Sequence, residues 1–352
     1  MMYGEEQQQL LLHDYLSNVE NNSEDEEDVD FNSISDYWNV TIDAWKKLIN
    51  SLLKTEALLL CFLTIAILTI FGKLEYVDTM NEIEDDNCHD VLADCPNVSF
   101  NQTVIPPFVN YLQDFTISKK HSLSFCLIPK VISTVGTGMM CYLNDADKFT
   151  RANRTISDET YMNRFCEENE MKSYRMVENQ LKKFENIIVV RDPIDRFISG
   201  FTEKCVAYSS LNYCHECGTD IKCFIRKEYR RLKRISMLFP VYTVADTHFA
   251  PQTWFCDMRN TMKKSTIIKY GNVGEERTRM INDILKVLER NNVTNEEMDN
   301  VRKELSKGKT HHSTIGSNIR NKYEVLIRND NMITRALIRM YYHDFQIFGY
   351  DM

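Results

Sequence analysis

A stretch of sixteen charge-free residues, ALLLCFLTIAILTIFG at 57–72, dominates the hydrophobic pattern of the chain. It has no polar face, which sets it apart from an amphipathic surface helix. A spanning helix needs about 20 apolar residues. The stretch approaches that length only if Leu52 and Leu53 join it, and a short span suits a thin bilayer. The pattern predicts one transmembrane helix over 54–72. From His121 onward the apolar runs are shorter and alternate with helical periods. SFCLI at 124–128 and IIVV at 187–190 read as buried strands, and 266–268 is a third candidate strand. Residues 134–143, 279–288 and 296–305 read as helices, and a further helix opens near Asp195. Strand and helix in alternation predict an α/β fold with a central parallel sheet.

Charge divides the chain in the same places. Residues 1–50 carry twelve acids against Lys46 and Lys47. The acids of 73–95 face only Lys73, whereas 96–352 carry an excess of eight positive charges. A basic domain concentrates anionic ligands. Lys46, Lys47 and Lys54 precede the apolar stretch, so the positive-inside rule leaves the N-terminus in the cytoplasm. The expected order is an acidic cytoplasmic tail (1–53), a signal anchor (54–72), a luminal stem (73–117) and a luminal domain (118–352). The stretch lies too far from the start for a plain signal peptide.

Ten of the eleven cysteines follow the anchor, which suits an oxidising lumen and disulfides. Cys205, Cys214, Cys217 and Cys223 lack the paired C-x-x-C spacing of a zinc site, so disulfides are the preferred reading and no metal is expected. Asn97, Asn101, Asn153 and Asn292 open N-x-S/T sequons in the luminal part. Asn21 and Asn39 open the same pattern on the cytoplasmic side, where they would stay bare.

Two strand–turn–helix junctions carry the candidate chemistry. The first strand runs into Pro129, Lys130, Val131, Ile132, Ser133, Thr134 and Val135. A helix N-terminus with Ser and Thr hydroxyls and one lysine can hold a phosphate. It is not a Walker A loop, which ends rather than begins with its lysine. The second strand runs into Arg191, Asp192, Pro193, Ile194, Asp195 and Arg196, with Ser199 one turn on. Arg191 stands at a carboxyl-terminal strand end, where open α/β sheets bind ligands. It can fork onto a phosphate while Ser199 donates from the helix. For Arg196 the plainer expectation is a salt bridge with Asp192 or Asp195.

These two segments resemble the 5′-phosphosulfate and 3′-phosphate loops of the Golgi carbohydrate sulfotransferases. The group is chondroitin 4-O-sulfotransferase-like, in its nematode-type branch. Asp246-Thr247-His248-Phe249, Pro251 and Cys256, then Ile268-Lys269-Tyr270, resemble a further block of that group. The resemblance implies a P-loop-like sulfotransferase fold behind one N-terminal transmembrane helix. It implies 3′-phosphoadenosine 5′-phosphosulfate as donor and a glycan acceptor, in particular a glycosaminoglycan such as chondroitin. It also implies a single-pass type II protein of the Golgi membrane. Lys130 would then stabilise charge on the leaving oxygen. His248 would take the acceptor proton, with His311 and His312 as runners-up.

The first loop departs from the group at Val131 and Ile132, and Gly136 and Gly138 sit inside the first helix. The departures leave a second reading open, a non-catalytic type II protein that kept the fold. Arg226, Lys227, Arg230, Arg231, Lys233 and Arg234 form a basic run that would either dock an acidic glycan or stand as a solvated helix face. A lumen excludes nucleic acid as a partner. Kinase loops are absent, which argues against phosphoryl transfer.

Overall fold

The computed structural model describes residues 90–93, 99–160, parts of 164–171, 183–211, 213–237, 243–307 and 318–352. The tail, the anchor, residues 73–89 and 94–98 of the stem (Asn97 among them) and the pair His311 and His312 lie outside the described residues. Among the described residues no helix is long and apolar enough to cross a membrane.

A five-stranded mixed sheet forms the centre. Its strands are β1 (Phe115–Ser118), β2 (Leu123–Cys126), β3 (Glu170–Met171), β4 (Glu185–Val190) and β5 (Ser265–Lys269). Their order is β3–β1–β2–β4–β5. β2, β4 and β5 run parallel, as expected. β1 is antiparallel to both its neighbours, so the sheet is mixed rather than wholly parallel. β1 also falls within the stretch expected to be stem. Ile105, Tyr111 and Phe115 are already in the core, so the folded unit begins before residue 118.

β2 and β4 form where continuous apolar runs can be buried on both faces, whereas β5 at the sheet edge is buried only at Ile268. β2 is buried at every position, and β4 at all but its first. Helix α1 (Ser133–Asn144) packs on β1 and β2. Gly136 and Gly138 explain how it comes so close. A Cβ on Gly136 would stand 2.3 Å from the Phe125 ring, and one on Gly138 2.1 Å from the Ile156 carbonyl oxygen. These glycines therefore serve contact between helix, strand and neighbouring backbone.

Beyond the short α2 (Ala146–Arg151), helix α3 (Pro193–Phe201) follows β4. It is flanked by α5 (Val244–Phe249), α8 (Asn318–Asn329) and α9 (Asn331–Phe348). Helix α4 (Ile221–Met237) carries the basic run and packs against α5 and α9. Helices α6 (Gly274–Arg290) and α7 (Asn295–Ser306) pack together, α6 also against β5.

Four disulfides cross-link the described residues: Cys126–Cys256, Cys141–Cys166, Cys205–Cys214 and Cys217–Cys223. The cluster that could be read as a zinc site is thus two disulfides. Asn101, Asn153 and Asn292 are exposed, which leaves their sequons accessible.

Candidate active site

Parallel pairing decides where the two loops meet. β2 and β4 run side by side with Phe125 opposite Ile187, so their carboxyl ends open at one sheet edge. β5 ends there too, because Val190 pairs with Lys269. The segment 127–132, the segment at 191–192 and Tyr270 therefore converge without any special contact.

The first loop is shaped by two left-handed residues. Lys130 has φ 68° and Ile132 has φ 46°. The second is unusual for a β-branched residue, which pays steric strain there. α1 then begins at Ser133 with no side chain capping it. Its first N–H groups are orphans by helix geometry, and Ser133 and Thr134 beside them are only half-buried. An uncapped N-terminus with adjacent hydroxyls and a lysine fits a phosphate.

The second loop is built around Arg191. Asp192 caps α3 by accepting from the Asp195 N–H at 2.8 Å, and Pro193 occupies the first turn, where its missing N–H does no harm. Arg191 Nε donates to Asp195 Oδ2 at 2.5 Å, and Nη1 donates to the Lys130 carbonyl at 2.8 Å. The guanidinium lies over the Tyr270 ring, 4.6 Å from its centroid. Arg320 on α8 pairs with the other Asp195 oxygen, and Asn272 donates to Asp195 at 3.0 Å. Burial and the nearby Arg191 charge bring Arg320 down to about 10. Two guanidiniums thus share one carboxylate beside Lys130, an arrangement that favours an anion. Ser199 is buried one turn farther along α3.

Arg196 has a different role from the one expected. It is 2% exposed and pairs with neither Asp192 nor Asp195. Its Nε donates to the Pro129 carbonyl at 3.0 Å and its Nη1 to the Ala250 carbonyl at 2.7 Å. It is a strut between the first loop and the segment after His248.

That segment is also fixed to the second loop. The buried Gln252 accepts from the Arg191 N–H at 2.9 Å and donates to the Arg191 carbonyl at 2.8 Å. His248 stands at the end of α5, whose start is locked by a capping box between Thr243 and Asp246. The His248 backbone lies against Gly200 of α3, its carbonyl 3.5 Å from where a Cβ would project. His248 Nδ1 lies 2.6 Å from the Val244 carbonyl, so Nδ1 carries the hydrogen and Nε2 is the acceptor. Burial and the Lys204 charge bring His248 down to about 3, against the support of the Val244 carbonyl. The ring is neutral at ordinary pH.

Glu203, Lys204, Gln252, Asn272 and Arg320 were not singled out from the sequence. Glu203 lies on a π-helical segment, Thr202–Ala207, that continues α3, and it is ion-paired with Lys130. Burial works against the Glu203 carboxylate, but Lys130 outweighs it and holds Glu203 below the usual range. The pairing of Lys204 with two tyrosine rings, Tyr208 at 5.6 Å and Tyr213 at 5.4 Å, completes this side.

The basic run on α4 does not form an open docking stripe. Arg226 pairs with Asp90 and Arg231 with Asp246. Lys227 donates to the His215 carbonyl, and Lys233 to the carbonyls of Gln102 and Val104. Only Arg230 and Arg234 of the run remain exposed without such a strut role among the described contacts. Among the described residues one group has metal-ligand chemistry: His215, Glu228 and Asp246, with ligand atoms within 4.8 Å of one another. Arg231 already holds both Asp246 oxygens.

Comparison with known proteins gives the family. The carbohydrate sulfotransferase chst-1 of Caenorhabditis elegans is 35% identical over 263 residues, covering 71% of this chain and 79% of that protein. Carbohydrate sulfotransferase 11 of Rattus norvegicus is 21% identical over 142 residues, 40% of each chain. No solved structure matches. Residues 113–351 match the sulfotransferase family, Sulfotransfer_2, and that span holds both loops, Arg191 and His248: the chain belongs to the sulfotransferase family.

Proposed function

We propose that this protein transfers a sulfuryl group from 3′-phosphoadenosine 5′-phosphosulfate to a hydroxyl of a glycan acceptor of the chondroitin type, in the Golgi lumen behind a type II anchor. The observation that carries the reading is the hydrogen bond from Arg191 to the Lys130 carbonyl, which makes one anion site of two loops 61 residues apart. The kinship with named carbohydrate sulfotransferases supports a sugar acceptor.

Each residue then has a task. Lys130 faces the oxygen that leaves with the 5′ phosphate and stabilises the charge developing there. Ser133, Thr134 and the uncapped start of α1 hold that phosphate. Arg191, its charge opposed by burial but supported by Tyr270, and Ser199 hold the 3′ phosphate. His248 Nε2 takes the proton of the acceptor hydroxyl.

The test is calorimetry of the full-length protein with adenosine 3′,5′-bisphosphate, followed by sulfate transfer onto a panel of desulfated glycosaminoglycans. Binding with transfer to one polymer supports the reading and names the acceptor. Binding without transfer to any glycan leaves the non-catalytic alternative. Absence of binding removes the reading.

A further inference from the structure

The Lys130 ammonium, the group best placed to meet a leaving phosphate oxygen, is already taken by Glu203. Both side chains are nearly buried, 11% and 12% exposed, so the pair is shielded from the screening that weakens surface ion pairs. The local winding produces the contact. α3 passes at Thr202 into a π-helical turn, a form that recurs at functional sites, and Glu203 is its second residue. Lys204, next in the turn, lies 3.6 Å from the other Glu203 oxygen.

The charges that bear on His248 come from three elements. Lys204 and Glu203 act from the π turn, Lys130 from the loop after β2, and the Val244 carbonyl from its own helix. The two lysines disfavour a proton on the imidazole and Glu203 favours one.

We propose that Glu203 is a positioning residue that yields Lys130 to the donor and, once released, supports His248 as proton acceptor. This rests on the site reading given above. In the donor-free site, Glu203 neutralises Lys130. When the 5′-phosphosulfate enters, Lys130 turns to its bridging oxygen and the negative donor offsets both lysines. The freed Glu203 carboxylate then stands near His248 with its charge no longer cancelled. Transfer follows: the acceptor oxygen bonds to sulfur as the sulfur–oxygen bond to the 5′ phosphate breaks. The electron pair stays on the phosphate oxygen facing Lys130, and the acceptor proton goes to His248 Nε2. The base therefore strengthens only after the donor is in place.

The test is a nucleotide-affinity and turnover comparison of the full-length protein and Glu203→Gln. Without the competing carboxylate, adenosine 3′,5′-bisphosphate should bind about three- to tenfold tighter. Turnover, kcat, should nevertheless fall at least about tenfold. A merely structural glutamate would weaken both. An unchanged or weaker affinity, or an undiminished kcat, overturns the inference. In a Lys130→Met background the affinity gain from Glu203→Gln should vanish, and a persisting gain also overturns it. If Glu203→Gln does not fold, Glu203→Ser is read for the same opposed signs. Failure of the wild-type protein to bind the nucleotide sinks the reading of the whole site. Wild-type binding without a gain in the variant sinks only the role of Glu203.

Discussion

Arg191 Nη1 donates to the carbonyl of Lys130 at 2.8 Å, so the residue that opens the second loop sets the backbone of the first. The same guanidinium reaches Asp195 through Nε, and Gln252 clasps the Arg191 backbone from both sides. A phosphate meeting Arg191 therefore meets a group whose direction is fixed before binding.

Arg191→Lys should keep the charge and lose the geometry. A lysine offers one ammonium in place of a planar fork, and it cannot serve Lys130, Asp195 and a phosphate together. Affinity for adenosine 3′,5′-bisphosphate should fall about tenfold to a hundredfold, equivalent to losing one or two charge-assisted hydrogen bonds. Titration calorimetry reads this directly. Affinity equal to wild type would show that Arg191 does not touch the nucleotide.

Arg196→Met tests the contrast. The substitution retains much of the apolar stem but removes the donors to Pro129 and Ala250. Two buried carbonyls lose a partner at about 1–3 kcal/mol each. Stability to urea should drop by about 3 kcal/mol. Added nucleotide should restore part of it, because ligand binding draws the population back to the folded state. A variant as stable as wild type would remove Arg196 as a strut.

The parts legible in the sequence were those fixed by local pattern. β2, β4 and β5 were expected as strands, and the helices expected from Thr134 and near Asp195 begin within two residues of those positions, at Ser133 and Pro193. β1 was not expected, because FTIS is four residues long, half hydroxyl-bearing, and follows an acidic, sequon-rich stretch. Its membership depends on pairing with β2, which no local pattern encodes. Glu203 was hidden for a similar reason. Its contact with Lys130 spans 73 residues and depends on a π turn that the sequence TEKCVA does not signal. The basic run on α4 misled in the other direction. Helical spacing makes a stripe of it, but partners such as Asp90 and Asp246 reach it from elsewhere in the chain.

Gly138→Ala should destabilise the domain although alanine is the better helix former. The propensity gain is about 1 kcal/mol. Against it stands a Cβ placed 2.1 Å from the Ile156 carbonyl oxygen, a backbone atom that cannot rotate away. Overpacking of this kind costs about 1–3 kcal/mol. A net loss of about 1–2 kcal/mol, seen as a lower urea midpoint, is expected. A gain in stability would mean that α1 and the segment at Ile156 separate easily.

His248 gives a pH signature of fixed sign. Its folded value is about 3, whereas an unfolded histidine titrates near 6.5. Between these values the unfolded chain binds a proton that the folded chain refuses. Stability therefore falls as pH drops from about 7 toward 3, and the group contributes no pH dependence above about 7. His248→Gln removes this liability. Its stability relative to wild type should rise progressively between pH 7 and pH 4, as followed by urea midpoints. The same substitution should abolish transfer while nucleotide affinity stays within about twofold of wild type, a change under about 0.5 kcal/mol. In the wild type, kcat/KM reports the free enzyme, so His248 should add no acidic limb above about pH 4. A limb near 6.5 that disappears in His248→Gln would show a solvated ring in the free enzyme. That result would remove the burial on which its low affinity for protons depends.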